Sequence, residues 1–242
     1  MLNLHLAHSM RVEFKEEDFK IALATSVVLY GFDGENLKLL IATKTNEPFS
    51  GADVLPSVKV KPEEDAFIVA KELMRRITGR DDWPVEILNA FSDPYRNPSG
   101  RVINIAYYGT VRLDDEVHYN LQRSEYRWVN VSDMPRLAYD HNEIVEYSRE
   151  RLKRRVKRRP IGFSLLPAEF TLNQIQTLYE QALGKDLDKR NFRRKLLNSQ
   201  LLIETGKTVR SSPKAKRPSA LFKFDEKKYM TMTLKGYDFV YQ

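Results

Sequence analysis

The segment DKRNFRRKLLNSQ (Asp188–Gln200) carries five basic residues around one aromatic residue, Phe192. Asp188 belongs to a residue type that caps helix N-termini, and helical spacing from there turns Phe192, Leu196 and Leu197 toward a core. The side chains left outside are Arg190, Asn191, Arg193, Arg194 and Lys195. The segment therefore predicts a basic helix with one buried face, whose charge either attracts a polyanion or is simply solvated.

The sequence on both sides of this helix favours a DNA-binding module. Before it, Phe170–Gly184 has Thr171 with Gln174 three residues later, the pattern of a capping box, and an apolar stripe at helical spacing. After it, LLIET (Leu201–Thr205) and SALFKF (Ser219–Phe224) have the composition of strands, with a basic tip between them. Helix, turn, basic helix and two-stranded wing is the order of a winged helix-turn-helix.

The charge of the chain is divided unevenly. Residues 149–242 contain 23 Lys and Arg against 9 Asp and Glu, whereas residues 1–148 contain 17 against 24. A positive excess confined to one part is typical of a region that must attract a polyanion. The capped helix pair and the wing favour duplex DNA over RNA, because paired aromatic residues for stacking single-stranded bases are not evident.

The front half alternates strand and helix patterns. Apolar, β-branched runs over Ile21–Phe32 and Leu37–Lys44, joined by the turn DGEN, predict a hairpin. Helical spacing predicts a helix over Pro62–Gly79 and a second one over His141–Arg159, which ends before Pro160. Further strands are predicted over residues 85–93, 101–113 and 126–131.

Composition narrows the class of protein. The chain has no cysteine, which excludes disulfides and thiolate zinc sites. No apolar run approaches the ~20 residues that a membrane span requires, and the N-terminal residues lack the pattern of a signal peptide. We therefore expect a cytoplasmic protein that has no membrane partner.

The region Leu39–Arg80 resembles the stretch around a Nudix box, whose pattern is G-x5-E-x7-R-E-U-x-E-E-x-G-U with U an apolar residue. In Nudix hydrolases the helix glutamates bind Mg²⁺ against a diphosphate, because Mg²⁺ requires oxygen ligands. Alignment on Gly79 puts Glu64 on the first acidic position. The paired glycines of the motif fall on Ser57 and Val58. Its Arg-Glu pair falls on Glu72 and Leu73, and its Glu-Glu pair falls on Arg76 and Ile77.

Two positions that would supply metal ligands, Leu73 and Ile77, are therefore apolar. Shifting the alignment by one residue recovers Glu72 but places Arg75 and Arg76 on the other pair. We predict no metal site, no catalytic residue, no cofactor and no diphosphate hydrolysis. The alternative is an active Nudix hydrolase of ADP-ribose or a related nucleoside diphosphate derivative, with a different acidic site built from Glu63, Glu64 and Glu72.

The resemblance extends over nearly the whole chain and becomes specific to the Nudix-related transcriptional regulators of the NrtR family. The segments that carry it are SDPYRNPSGRVINIAYYGTV (92–111), LAYDHNEIV (137–145), residues 161–197 and RPSALFKF (217–224). The resemblance implies an α+β fold, in which a Nudix-like α/β/α sandwich with a mixed sheet precedes a C-terminal winged helix-turn-helix. The expected effector domain covers residues 1–158, including a linking helix over 141–158, and the expected DNA-binding domain covers 159–242.

The family also implies a function. Its members are homodimeric repressors that bind a palindromic operator in double-stranded DNA and respond to a small-molecule effector. Known effectors of the family include ADP-ribose and other NAD-related metabolites, and some relatives respond to a pentose. The replacement of the loop glycines by Ser57 and Val58 narrows the space for a backbone–phosphate approach, which argues against ADP-ribose and leaves a smaller ligand as the alternative.

Two sets of candidate site residues follow. The expected DNA-binding residues are Lys189, Arg190, Asn191, Arg193, Arg194 and Lys195 on the basic helix, and Arg210, Lys214, Lys216 and Arg217 on the wing. The expected effector-binding residues are Lys44, Lys59, Lys61, Arg101, Asp140 and His141, because Lys and Arg suit anionic ligands. Two of these, Lys44 and Arg101, occupy positions where the family places polar pocket residues, and His141 has the alternative role of helix cap and packing residue.

Overall fold

A computed structural model describes residues 20–80, 84–113, 117, 121, 125–158, 162–210 and 217–234. Within these residues the front half contains a seven-stranded mixed sheet. Its strands are β1 (Ala22–Phe32), β2 (Leu37–Thr43), β3 (Asp53–Val54), β4 (Ser57–Val60), β5 (Val85–Phe91), β6 (Val102–Thr110) and β7 (Tyr126–Asn130). Five strands follow the order β3-β2-β1-β6-β5, while β4 pairs with β1 and β7 pairs with β2. Only β1 and β6 pair in parallel, among the described strands.

Strand β1 lies at the centre of this sheet, and its alternate side chains enter two different cores. Val28, Tyr30 and Phe32 pack on one face of the sheet, whereas Val27 and Leu29 pack on the other. All five are at most 1% exposed. This two-sided burial explains the continuous apolar run in the sequence. It also confirms the expected α/β/α sandwich, since a helix covers each face.

The helix on one face is α1 (Ala66–Thr78), which buries Ala70, Leu73, Met74 and Ile77. It begins four residues later than the sequence predicted, because the Asp65 carboxylate accepts hydrogen bonds from the amides of Phe67 and Ile68 and so caps the N-terminus. Its C-terminal cap is confirmed: Gly79 has φ 76°, the left-handed conformation that glycine adopts at low cost.

The helix on the other face is α2 (His141–Arg158), the expected linking helix. Ile144, Val145, Leu152 and Val156 are buried against the sheet. Ser148, fully buried, shares a 2.7 Å hydrogen bond with the Tyr30 hydroxyl of β1. The described part of the chain contains no helix long and apolar enough to cross a membrane.

The C-terminal region forms α3 (Gly162–Leu165), α4 (Leu172–Leu183), α5 (Lys189–Asn198), β8 (Leu202–Val209), β9 (Ser219–Phe224) and α6 (Glu226–Leu234). The capping box of Thr171 and Gln174 and the Asp188 cap are present as predicted. Three expectations were wrong or incomplete. Strand β8 continues to Val209 into the expected wing tip, Leu197 is 47% exposed because it lies beyond the buried face, and α6 was not predicted.

The two halves share one continuous core, in which residues of β1, β2 and α2 pack with residues of α4, α5 and β9. Polar contacts reinforce the junction: the Arg112 guanidinium donates to the Leu166 carbonyl at 2.8 Å, and the Thr110 and Ser164 hydroxyls lie 2.9 Å apart. Gly34 in the β1–β2 turn has φ 98°, and a Cβ there would lie 2.9 Å from Gln174 Nε2. The front half therefore fixes the position of the winged helix directly as well as through α2.

Candidate functional site

The basic helix α5 is anchored by its apolar face. Phe192 and Leu196 are 1% and 2% exposed, and the Phe192 ring lies 5.4 Å from the ring of Tyr179 in α4. Arg190 is two residues from Phe192, and Arg194 is two residues from both Phe192 and Leu196. Two residues are roughly half a helical turn, so both arginines lie on the opposite, exposed face. The helix therefore presents guanidinium groups outward from a rigid base.

The structure divides the six predicted residues of this helix into groups. Asn191 and Arg194 are exposed and bonded to each other, with Arg194 Nη2 donating to Asn191 Oδ1 at 2.9 Å. Arg193 is only half exposed and donates to Asn173 Oδ1 at 2.5 Å, so it ties α5 to α4. Lys189 and Lys195 are exposed at the flanks. Arg190, Asn191 and Arg194 thus form the outermost face, which we call the recognition face.

The wing contributes further positive charge. Arg210 and Arg217, at the two ends of the described wing, are exposed, whereas Lys214 and Lys216 lie outside the described residues. Lys207 and Lys223 were not among the candidates, and both contact the Glu169 carboxylate, at 3.1 Å and 3.3 Å. These two lysines are therefore occupied in holding the wing against the segment before α4.

A cleft of about 300 Å³ lies at the end of the sheet where β1 and β6 begin and β2 ends. We call it the effector cleft. Three of the six predicted effector residues line it, namely Lys44, Lys59 and His141. Ser57 and Val58, which stand on the paired glycines of the Nudix motif, also line it. Polar residues that the sequence had not suggested complete the wall: Asn46, Arg96, Asn97, Asn104, Glu125 and Tyr126.

The other three predicted effector residues do not line this cleft. Lys61 pairs with Glu64 at 3.2 Å, and its side chain is 75% exposed. Arg101 donates to the Ser92 carbonyl at 2.6 Å. Asp140 lies outside the lining of the effector cleft, where it forms an ion pair with an arginine.

That arginine is Arg96, whose Nε and Nη2 donate to the two oxygens of Asp140 at 2.8 Å and 2.6 Å. The side chains are 4% and 12% exposed, so the ion pair is desolvated as well as bidentate. Sequence reasoning missed Arg96, because its only local signal is a turn between two prolines and its partner lies 44 residues away. Arg96 also lines the effector cleft, so the pair fixes part of that wall.

His141 is the first residue of α2 and is 5% exposed. Its Nδ1 accepts a 3.0 Å hydrogen bond from the Leu55 amide, which requires a neutral ring with the proton on Nε2. Burial lowers the pKa of His141 to about 4; the nearby Arg96 acts in the same direction, while Asp140 opposes it. The packing role expected as the alternative is therefore present, and it joins the cleft wall to the start of α2.

The helix that resembles the Nudix box does not fit a magnesium site. Leu73 and Ile77 are each 1% exposed within the apolar core. Glu72 faces outward and accepts from Arg75 at 2.6 Å and 3.0 Å, and Glu64 is bonded to Lys61. Across the described ranges no group of three or more His, Cys, Asp or Glu side chains is arranged to hold a metal ion. Because Mg²⁺ requires converging oxygen ligands, these residues cannot hold it in the manner of the family.

Comparison with known proteins agrees with this organisation. Residues 162–224 match the family model of the NrtR DNA-binding winged helix domain. The chain is 26% identical to the ADPR-responsive transcriptional repressor NtrR of Acinetobacter baylyi, over 98% of this chain and 93% of that protein. It is also 26% identical to the ADP-ribose pyrophosphatase of Methanocaldococcus jannaschii, over 60% of this chain and 87% of that protein.

The crystal structure of Shewanella oneidensis NrtR in complex with a 27mer DNA has a TM-score of 0.70 and 25% identity to this chain. The match covers 84% of this chain and 93% of that one, so it includes both halves of the molecule. The chain is thus similar to NrtR regulators over nearly its full length, both in the winged helix domain and in the half that precedes it.

Proposed function

We propose that this chain is a DNA-binding transcriptional repressor whose Nudix-like domain responds to a small-molecule effector. The observation that carries the proposal is the recognition face of α5, where Arg190, Asn191 and Arg194 project from a helix anchored by Phe192 and Leu196. Arginine pairs bidentately with guanine and asparagine with adenine in the major groove. The exposed Arg210 and Arg217 of the wing add contacts to phosphates or to the minor groove.

The effector that suits the cleft is an anionic or hydroxyl-rich metabolite. Lys44 and Lys59 supply positive charge to the cleft. Arg96, held in place by its ion pair with Asp140, supplies a polar part of the cleft wall. The cleft volume of about 300 Å³ lies at the lower end of the range typical of small-molecule sites. ADP-ribose, the effector named for the Acinetobacter relative, and smaller sugar metabolites are the candidates of this class.

We further propose that the repressor is a homodimer that binds a palindromic operator, because a two-fold dimer matches two half-sites of opposite orientation. Effector binding would then act through α2. Its first residue, His141, lies in the cleft wall, and its far end leads into the winged helix. A small rotation of the winged helices changes their spacing and releases DNA.

The competing function is hydrolysis of ADP-ribose or a related compound, and the similarity to the Methanocaldococcus pyrophosphatase is the observation in its favour. Against it, the aligned metal positions Leu73 and Ile77 are buried in hydrocarbon, and Glu64 and Glu72 are each paired with a cation. We therefore propose that the Nudix-like domain binds its ligand without turning it over.

Two measurements on the full chain test these proposals. The first is selection of bound duplexes from a random DNA pool, which should give one palindromic sequence. Titration with ADP-ribose and with pentoses should then change the affinity of the protein for that sequence. Assays that separate AMP and ribose 5-phosphate from ADP-ribose, run with Mg²⁺, should show no turnover. Binding to all duplexes alike at moderate salt would contradict the first proposal, and steady turnover of ADP-ribose would contradict the second.

A further inference from the structure

A groove of about 1060 Å³ lies beside the first turn of α2. Its lining comes from the loop after β2, the turn after β5 and the segment before α2. We call it the α2 groove, formed by residues of the segments 49–52, 93–98 and 136–143. Arg96 and Tyr139 line this groove as well as the effector cleft, so the two sites share a wall.

Tyr95 lies at the rim of the α2 groove on a fixed backbone. It is 91% exposed, so its ring makes almost no contact with its own chain. Its amide donates to the Asp93 carboxylate at 2.8 Å, and the next residue, Arg96, is held by its buried ion pair with Asp140. A projecting aromatic side chain on a backbone that is already ordered loses little conformational entropy on binding. Tyrosines in such positions are typical anchors of protein interfaces.

Two further aromatic residues of the groove have strained backbones. Phe49 has φ 68° and Tyr139 has φ 60°, a left-handed conformation that is rare for bulky residues and costs about 1–3 kcal/mol for each. Their rings meet edge to face, with centroids 5.0 Å apart and planes at 87°. Phe49 remains 43% exposed in spite of this contact. Because backbone strain of this kind is concentrated at functional sites, it favours a functional role for the groove.

The α2 groove carries unpaired charges of both signs. Arg96 and Asp140 neutralise each other, but Asp93, Arg136 and Glu143 are exposed and make no ion pair within the described residues. A surface of one sign would repel a second copy of itself. A mixed surface can instead place the arginine of each copy against a carboxylate of the other.

From this geometry we infer that the α2 groove is the surface on which two copies of this chain pair, with Tyr95 of each copy inserted into the groove of the other. The inference rests on the homodimer proposed above and names its surface. A two-fold axis uses the projection and the groove of both copies at once, whereas an unrelated partner would have to supply both features itself.

The area of this contact agrees with a stable dimer. An aromatic side chain buries roughly 150–250 Å² and covers a similar area of its partner, so the two insertions supply about half of the ~1,600 Å² of a typical interface. The exposed ring of Phe49 and the charged residues around the groove are available for the rest.

Pairing at this surface places the dimer contact next to the effector cleft. An effector that touches Arg96 or Tyr139 acts on the wall that the second copy also touches. This wall leads directly into His141, the first residue of α2. Effector binding therefore changes the arrangement of the two copies at the base of the linking helix.

The test measures the dissociation constant of the dimer by analytical ultracentrifugation of the full chain, without DNA or effector. Tyr95→Ala should weaken dimerisation about 100-fold or more, because each dimer loses two anchoring side chains. Tyr95→Phe keeps the ring and should remain within about tenfold of the parent. Ile68→Ala, at a position of α1 that is 61% exposed and outside the groove, is the matched control and should leave dimerisation unchanged. Circular dichroism checks that each variant is folded.

A second variant tests the charges. Arg136→Glu makes every unpaired charge of the groove negative, so we expect dimerisation about tenfold weaker than that of the parent at low salt and a smaller difference at high salt. Dimerisation equal to that of the parent at low salt would count against the inference.

Two further outcomes would overturn the inference and leave the proposed homodimer in place, with its surface elsewhere. One is unchanged dimerisation of Tyr95→Ala, and the other is equal weakening by Tyr95→Ala and Ile68→Ala. A parent chain that sediments as a monomer throughout the micromolar range would overturn both the inference and the proposed homodimer.

Discussion

The side chain of Gln181 binds the backbone of the hairpin at Leu37. Gln181 Oε1 accepts from the Leu37 amide at 2.5 Å, and Nε2 donates to the Glu35 carbonyl at 2.8 Å. Gln181 belongs to α4 of the winged helix, and Leu37 is the first residue of β2. The other end of β2 leads to Thr43 and Lys44 in the effector cleft. One seven-residue strand therefore connects the cleft with the DNA-binding module.

Replacement of this glutamine tests the connection. Gln181→Ala removes both hydrogen bonds and leaves a half-buried amide unpaired, so we expect a loss of about 1–2 kcal/mol in the free energy of unfolding. We also expect a smaller change in operator affinity on addition of effector. Urea unfolding and operator titration measure the two effects. Lys185→Ala, at an exposed position just after the same helix, is the control and should change neither quantity.

Local sequence signals predicted a large part of this fold. Gly79, the Thr171–Gln174 box and the Asp188 cap each act within four residues, and all three are in place. The spacing of apolar residues within each strand and helix is also a local signal, so it predicted which side chains are buried in the two cores.

Hydrogen bonds between residues far apart in the sequence had no such local signal. Leu37 and Gln181 are 144 residues apart, and Leu55 and His141 are 86 apart, so no spacing pattern links them. The wall of the effector cleft is built from such contacts, which explains why the sequence did not suggest Arg96. It also explains why the sequence could not show that Arg101 and Lys61 make their contacts outside this cleft. Helix α6 was missed because its apolar residues do not form a clear stripe.

The buried pair of Arg96 and Asp140 should be among the most sensitive positions of the front half. Arg96→Ala leaves a carboxylate unpaired in the interior, and we expect a loss of about 3–5 kcal/mol in the free energy of unfolding. The matched control is the exposed pair of Arg149 and Glu146, 3.3 Å apart, where Arg149→Ala should cost less than about 1 kcal/mol. Chemical denaturation measures both losses. Similar small losses in the two variants would show that the Arg96 pair remains hydrated.

His141 should make stability depend on pH. The ordinary histidine of the unfolded chain takes up a proton near pH 6.5, whereas burial holds the pKa of folded His141 at about 4. Between these values the unfolded state binds more protons, so stability falls as the pH is lowered from about 6.5 to about 4. The gap corresponds to about 3 kcal/mol.

The variant His141→Gln isolates this contribution, because an amide oxygen can still accept from Leu55 but does not titrate. Urea unfolding of parent and variant at several pH values gives the difference in their free energies of unfolding. We expect that difference to change by about 3 kcal/mol across the interval, with the parent losing stability faster. A constant difference would mean that His141 is protonated in the folded state without penalty.

Within the effector cleft, Lys59 and Lys61 offer a matched comparison. Lys59 lines the cleft, whereas Lys61, two residues later, is paired with Glu64 outside it. If an anionic effector binds in the cleft, Lys59→Gln should weaken ADP-ribose binding about tenfold, the size of one charge-assisted hydrogen bond. Lys61→Gln should leave binding unchanged. Calorimetry on the full chain measures both affinities, and equal weakening would indicate that only the overall surface charge matters.

Arg194 distinguishes base reading from phosphate binding on the recognition face. It is exposed opposite the anchored face of α5, and Asn191 Oδ1 holds its guanidinium at 2.9 Å, which restricts the directions in which it can extend. If Arg194 reads a guanine bidentately, Arg194→Ala should weaken operator binding by about 1–3 kcal/mol and relax the preference at one base pair.

The variant Arg194→Lys keeps the positive charge but cannot form the planar two-point contact. A base-reading arginine should therefore be poorly rescued by lysine, whereas a phosphate-binding arginine should be rescued almost fully. Gel-shift titrations on the selected operator and on operators altered at each position measure this difference, at two salt concentrations. If Arg194→Ala binds every duplex less tightly by the same factor and with a shallower salt dependence, Arg194 contacts phosphate, and specificity must reside in Arg190 or Asn191.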